Sequence, residues 1–162
     1  MKNLFLLTFC SILLFSCSSD DGDGGDNSDC KVAFSDQDAS GKFANVNFTI
    51  GSGSLKIISG KPFFSLFLET IPGDVCGFPD IDQSVLFGSG IPELKVGLYT
   101  LNNLTTVSFN TKTTDGADIQ LATCGKIEIL EITDTTVTGR IVAEADSMNT
   151  INGNFSAQLC EN

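Results

Sequence analysis

The residues of this chain best placed to do chemistry are three carboxylates. Asp80, Asp82 and Glu93 flank an irregular stretch from Pro72 to Glu93. Long loops in compact domains often carry function. Two carboxylates a few ångströms apart can act as general acid and base on a glycosidic bond. Asp80 and Asp82 can also hold calcium together with backbone oxygens. Against these readings, exposed carboxylates are normally just solvated. The chain has no Trp to serve as a sugar-stacking platform, and its single Tyr, Tyr99, falls within an expected strand. Phe63, Phe64 and Phe67 could line a barrel cavity for an apolar ligand, or simply fill a core. Phe78 and Phe87 are either lids over that core or an exposed apolar patch.

Composition removes other chemistries. There is no His, which excludes every triad, zinc site or proton shuttle that needs an imidazole. A net charge of -11 argues against nucleic acid, which needs a basic face. No cofactor is expected, no catalytic residue is assigned, and the reading is non-enzymatic.

Met1-Lys2-Asn3 is followed by an almost wholly apolar run from Leu4 to Phe15. Such a run spans about 18 Å as a helix. It is too short to cross a bilayer and matches the apolar region of a signal peptide. The run ends in Leu14-Phe15-Ser16-Cys17, which resembles the bacterial lipobox. The resemblance implies that residues 1–16 are removed and that Cys17 carries acyl chains. Two or more chains hold a protein stably on a membrane. Asp20, Asp21, Asp23, Asp26 and Asp29 then lie among Gly and Ser in a tract without a base. Residues 17–29 therefore read as the acylated Cys and a flexible acidic tether, reaching about 20 Å. A calcium loop counted from Asp21 fails, because Gly25 and Asp26 fall where an oxygen ligand and a Gly are required. Ser19-Asp20-Asp21 resembles the export signal of surface lipoproteins in the Bacteroidota. That implies an outer-membrane location facing the exterior, with the periplasmic face as the alternative.

With Cys10 removed and Cys17 acylated, Cys30, Cys76, Cys124 and Cys160 remain. An even number in an exported chain suggests two disulfides. Of the three pairings, Cys30 with Cys160 and Cys76 with Cys124 is favoured, since it would tie the first residue of the domain to its last strand. A metal site is disfavoured by the wide spacing and the lack of His.

Two triplets, Asp134-Thr135-Thr136 and Asp146-Ser147-Met148, resemble the O-glycosylation acceptor of Bacteroidota and fall in expected turns. The resemblance makes Thr135 and Ser147 the modified residues. Asn47-Phe48-Thr49, Asn103-Leu104-Thr105 and Asn154-Phe155-Ser156 match the N-glycosylation sequon and read as coincidence in such a chain.

Positioning falls to strands. Ala44, Val46, Phe48 and Ile50 alternate with polar residues as in a half-buried strand. Gly51 to Ser54 reads as a turn, and Leu55 to Ser59 as a strand. Phe63 to Ile71 is apolar on both faces and reads as a central strand. Further strands are expected at Lys95–Leu101, Thr105–Lys112, Ile119–Thr123, Lys126–Thr133, Val137–Ala145 and Ile151–Cys160. Turns are expected at Asn102-Asn103, Asp115-Gly116 and Asp134-Thr135. The expected fold is all-β: an antiparallel β-sandwich or small barrel of about 8–10 strands, formed by residues 30–162 as one domain.

Gly97-Leu98-Tyr99-Thr100-Leu101, Gly125-Lys126-Ile127-Glu128-Ile129, Val137-Thr138-Gly139-Arg140-Ile141 and Ile151-Asn152-Gly153-Asn154-Phe155 resemble consecutive strands of small Bacteroidota lipoprotein domains of unknown function. That family has no assigned chemistry, so the resemblance implies fold and location only. The expected role is a non-catalytic binding or accessory module at the envelope. Its partners would be the membrane, through the lipid anchor, and a surface ligand, glycan or protein. A small carboxylate-based hydrolase and a barrel carrier of an apolar ligand are the alternatives.

Overall fold

The computed structural model describes residues 30–77, 79–88, 90–101 and 106–160. The lipobox-like segment with Cys17, the stretch read as a tether, Phe78 and the expected turn at Asn102-Asn103 lie outside the described residues. The described chain is all-β. Its strands are β1 (Ser40–Phe43), β2 (Val46–Thr49), β3 (Ser52–Ile58), β4 (Lys61–Phe67), β5 (Gln83–Phe87), β6 (Gly97–Thr100), β7 (Val107–Thr113), β8 (Gly116–Leu121), β9 (Cys124–Ile132), β10 (Thr136–Asp146) and β11 (Asn149–Leu159).

These strands form one curled sheet, a half-barrel, in the order β6-β9-β10-β11-β3-β4-β5-β7-β8. β1 pairs with β11 and with β2, off this path. The pairings are antiparallel except β11 with β3, where Gln158 and Leu159 sit opposite Ser54 and Leu55. Among the described residues eleven strands are present, against the 8–10 expected. The difference is β1 and β5. β5 lies inside the stretch Pro72 to Glu93 that reads as irregular in sequence, so that stretch is two loops around a strand.

Period-two alternation curls the sheet around one core. On β4, Phe64 and Leu66 are fully buried, while Phe63 and Ser65 face the other way and are half-buried. On β9 and β10, Ile127, Ile129, Val137 and Ile141 are all at 0% exposure. Phe64 stacks on Phe87 with ring centroids 4.5 Å apart, and Phe155 meets both rings edge-on. Phe87 is thus a core residue, not an exposed patch. Of the two readings of Phe63, Phe64 and Phe67, the core is the one that fits: Phe64 and Phe67 are buried, and the three rings do not line one cavity. Alternation along an unbroken β4 register puts Phe63 and Phe67 on the face opposite Phe64.

Two glycines mark where backbone and ring come too close for a side chain. Gly153 in β11 has φ of 139°, and a Cβ there would lie 2.5 Å from the Gln37 carbonyl oxygen. At Gly139 in β10 a Cβ would meet the Glu128 carbonyl at 2.5 Å and the Phe155 ring at 2.6 Å.

Candidate functional site

Residues 68–82 carry the chain from β4 to β5. On the way Cys76 is joined to Cys160, and Lys56 Nζ donates to the Gly77 carbonyl at 3.2 Å. The loop returns to place Asp80 and Asp82 beside the end of β7. Gln83 pairs with Thr111, so Asp82 falls opposite Lys112. The Lys112 N–H donates to the Asp82 carbonyl at 2.8 Å, and Lys112 Nζ forms an ion pair with Asp80 Oδ1. Together with Pro79, Ser84 and Asn110 these residues line an open surface groove of about 240 Å³.

Glu93 does not join them. It lies beyond the other end of β5 and pairs with Lys95 at 3.3 Å. Six residue steps from Asp82 to Gly88, at about 3.3 Å each, set the two ends roughly 20 Å apart. Paired-acid glycoside chemistry needs about 5–9.5 Å. Asp80 is in addition neutralised by a lysine, and its side chain is 83% exposed. Among the described residues no group of three or more His, Cys, Asp or Glu is arranged to hold a metal ion.

The lysine feels the pair. Hydrogen bonding to Asp80, then its charge, raises the Lys112 pKa above the ordinary 10.5; the charge of Asp82 adds to this and burial opposes it. Because the folded value is the higher one, the pair's contribution is fully present below pH 10.5 and fades as pH rises through the folded value. Asp80→Asn is expected to return the Lys112 titration toward 10.5, read by NMR at the side-chain nitrogen. An unchanged midpoint would show that Asp80 is not the partner in solution.

The disulfides differ from the favoured pairing. Cys30 is bonded to Cys124, with Cα atoms 4.9 Å apart, and Cys76 to Cys160, at 5.4 Å. All four expected cysteines are bridged, but crosswise. The reason is strand direction. β9 and β11 are both antiparallel to β10, so they run the same way. Cys124 starts β9 at one end of the sheet and Cys160 follows β11 at the other. The 68–82 loop carries Cys76 to the second end, and Cys30 enters at the first.

Sequence reading missed what residues 30–38 do. They form a strap over the outer face of β9, β10 and β11. The Ser35 N–H donates to Asn152 Oδ1 at 2.8 Å, while Asn152 Nδ2 donates to the Ala33 carbonyl at 3.0 Å. Asn154 Nδ2 donates to the Asp36 carbonyl at 2.9 Å. Phe34 lies beneath two cations, Arg140 at 4.8 Å and Lys126 at 5.5 Å from the ring centroid. Arg140 also bonds Glu128 through Nε at 3.0 Å and through Nη2. The legible signal was Lys126, Glu128, Arg140, Asn152 and Asn154 at every second position, a polar face that needs a cover.

No protein-family model, curated protein or solved structure matches this chain. Its chemistry must therefore be read from its own residues.

Thr135 and Ser147 are both exposed in hairpin turns, at opposite ends of β10. Asp146 Oδ1 accepts from the Met148 and Asn149 N–H groups, each at 2.8 Å, and so shapes the turn that presents Ser147. Thr133 Oγ1 does the same for the other turn, accepting from the Thr136 N–H at 2.9 Å.

Proposed function

We propose that this chain is a lipid-anchored lipoprotein of the outer-membrane surface. Residues 30–162 act as a non-catalytic binding or accessory module toward a glycan, a protein or a host surface. The observation that carries this reading is the pair of disulfides. Such bonds persist in oxidising compartments outside the cytoplasm. They use all four cysteines of the domain, which leaves the N-terminal Cys10 and Cys17 outside the fold's covalent framework. The Cys17 thiol is then free to be the acylated atom that its lipobox-like setting suggests.

The entry point of the tether supports the same reading. The domain begins at Cys30, and its bond to Cys124 fixes that point covalently to the start of β9. A pull through the tether is passed to the sheet and not to the strap alone. The geometry of the carboxylates argues against the hydrolase alternative, because Glu93 is remote from Asp80 and Asp82, and Asp80 is bound by Lys112. Among the described residues no helix is long and apolar enough to cross a membrane, so on this reading the acyl chains supply the attachment.

Cys17→Ala tests the reading. The expected result is loss of palmitate labelling and release of the chain from the membrane fraction. Continued labelling and membrane partition of the variant would overturn it. O-glycosylation at Thr135 and Ser147 is a separate part of the proposal, read from the intact mass of the native protein.

A further inference from the structure

We propose that β8 is the seam of a symmetric homodimer, in which two copies pair β8 against β8 in antiparallel fashion about Ile119. The starting observation is a sheet edge that is open among the described residues. There β8 ends the strand order, and every residue from Gly116 to Leu121 is exposed.

The hydrogen-bond parity of this edge can be read directly. The Ala122 N–H donates to the Val107 carbonyl at 2.8 Å. With the register Ser108 to Leu121 and Asn110 to Ile119, the rungs at Ala122, Gln120, Asp118 and Gly116 point at β7. The N–H and C=O groups of Ala117, Ile119 and Leu121 therefore point away from it. The same parity fixes the side chains. Gln120 shares a face with the buried Phe109, so Ile119 and Leu121 stand on the convex face, 55% and 61% exposed.

Natural edge strands are blunted by charged residues, Pro, bulges or short length. β8, Gly-Ala-Asp-Ile-Gln-Leu, has no Lys, Pro or bulge, and its one charge is Asp118 on the concave face. The other edge strands, β6 and β2, are each only four residues long, and β6 follows Pro92 and Lys95.

The strand is complementary to itself. A two-fold axis at Ile119 places Ile119 opposite Ile119 of the second copy, Ala117 opposite Leu121, and Asp118 opposite Gln120. Every outward backbone group of Ala117, Ile119 and Leu121 then finds a partner. The apolar side chains meet on the convex face. On the concave face each carboxylate meets an amide, which already bonds Asp118 within its own chain at 3.2 Å. Continuing the register puts Asp115 opposite Thr123. No carboxylate faces another across the seam, in a chain of net charge -11. This complementarity favours a second copy over a foreign strand. A single strand pair is small beside the roughly 1,000 Å² of a stable interface, so the dimer is expected to be concentration-dependent. The proposal is independent of the lipid anchor.

Cysteine crosslinking of the full-length chain tests it, with the wild-type chain as baseline. Self-opposed residues of a hydrogen-bonded rung lie about 5.5 Å apart at Cα, within the span a disulfide bridges. Ile119→Cys is expected to give a disulfide-linked dimer on mild oxidation. Asp118→Cys and Leu121→Cys, each opposite a different residue, are expected to stay at the wild-type level. Mixing Ala117→Cys with Leu121→Cys should restore the dimer band. These side chains are all exposed, so the variants keep the fold, and Ile119→Lys should abolish concentration-dependent dimerisation in sedimentation. A monomeric Ile119→Cys, or equal crosslinking of Asp118→Cys, overturns the proposal. So does a crosslink formed between Leu98→Cys and Ile119→Cys copies, which would pair β6 with β8 instead.

Discussion

The double variant Cys76→Ala/Cys160→Ala is expected to lose about 2–5 kcal/mol of unfolding free energy, measured by denaturant titration. The bridge spans 84 positions. A loop of that size corresponds to about 4–5 kcal/mol in the chain-entropy account. The span overlaps that of the Cys30–Cys124 bridge, so part of the unfolded chain's freedom is already removed and the lower part of the range is favoured. Native contacts are lost as well. Cys76 pins the 68–82 loop to the end of β11, beside the bond from the Cys160 N–H to the Leu55 carbonyl. Val75, 7% exposed, is held down by the same attachment. The loop should therefore become the first site of proteolytic cleavage. A loss below about 1 kcal/mol, with the loop still resistant, would mean that packing alone holds it.

That bridge also shows where sequence reasoning stops. The set of paired cysteines was legible, because an even number in an exported chain points to disulfides. The pairing was not, because it depends on which end of the sheet each residue reaches. β9, β10 and β11 were legible for a local reason: they are nine to eleven residues long, and each holds a stretch in which apolar residues or Gly alternate with polar ones, as at Ile127–Ile129, Val137–Ile141 and Ile151–Ala157. β1 and β5 are short, and β1 carries a Gly in place of an apolar residue.

The alternation at Ala44, Val46, Phe48 and Ile50 misled in the opposite direction. Ala44 and Asn45 have φ of 48° and 66° and make the β1–β2 turn, while Val46 is 68% exposed. Only Phe48 and Ile50 pack against the core. Gly51 to Ser54, which reads as a turn, instead leads into β3. Gly53 is there because the Ser156 carbonyl comes within 2.5 Å of where its Cβ would be. Of the candidate site, Asp80 and Asp82 were found together, but their counter-ion Lys112 comes from a strand thirty residues on, which no local spacing reveals.

Phe64→Ala is expected to cost about 3–5 kcal/mol, and Phe63→Ala on the same strand only about 1–2 kcal/mol. The residues are neighbours of identical chemistry, so the difference isolates burial. Phe64 is at 0% exposure and lies between Leu55 of β3 and Phe87 of β5, each its direct register partner. Both flanking strands are hydrogen-bonded to β4, so the backbone cannot collapse into the space the ring leaves. Two ring contacts vanish with it, the stack on Phe87 and the edge contact with Phe155 at 5.8 Å. Phe155 is also the ring that covers Gly139, and without Phe64 behind it β10 loses part of that cover. Phe63 faces outward and is only half-buried, so its removal uncovers little. Equal losses in the two variants, by denaturant titration, would mean that β4 does not separate an inside from an outside. The half-barrel would then lack the single core on which the placement of the strap, the groove and the β8 edge depends.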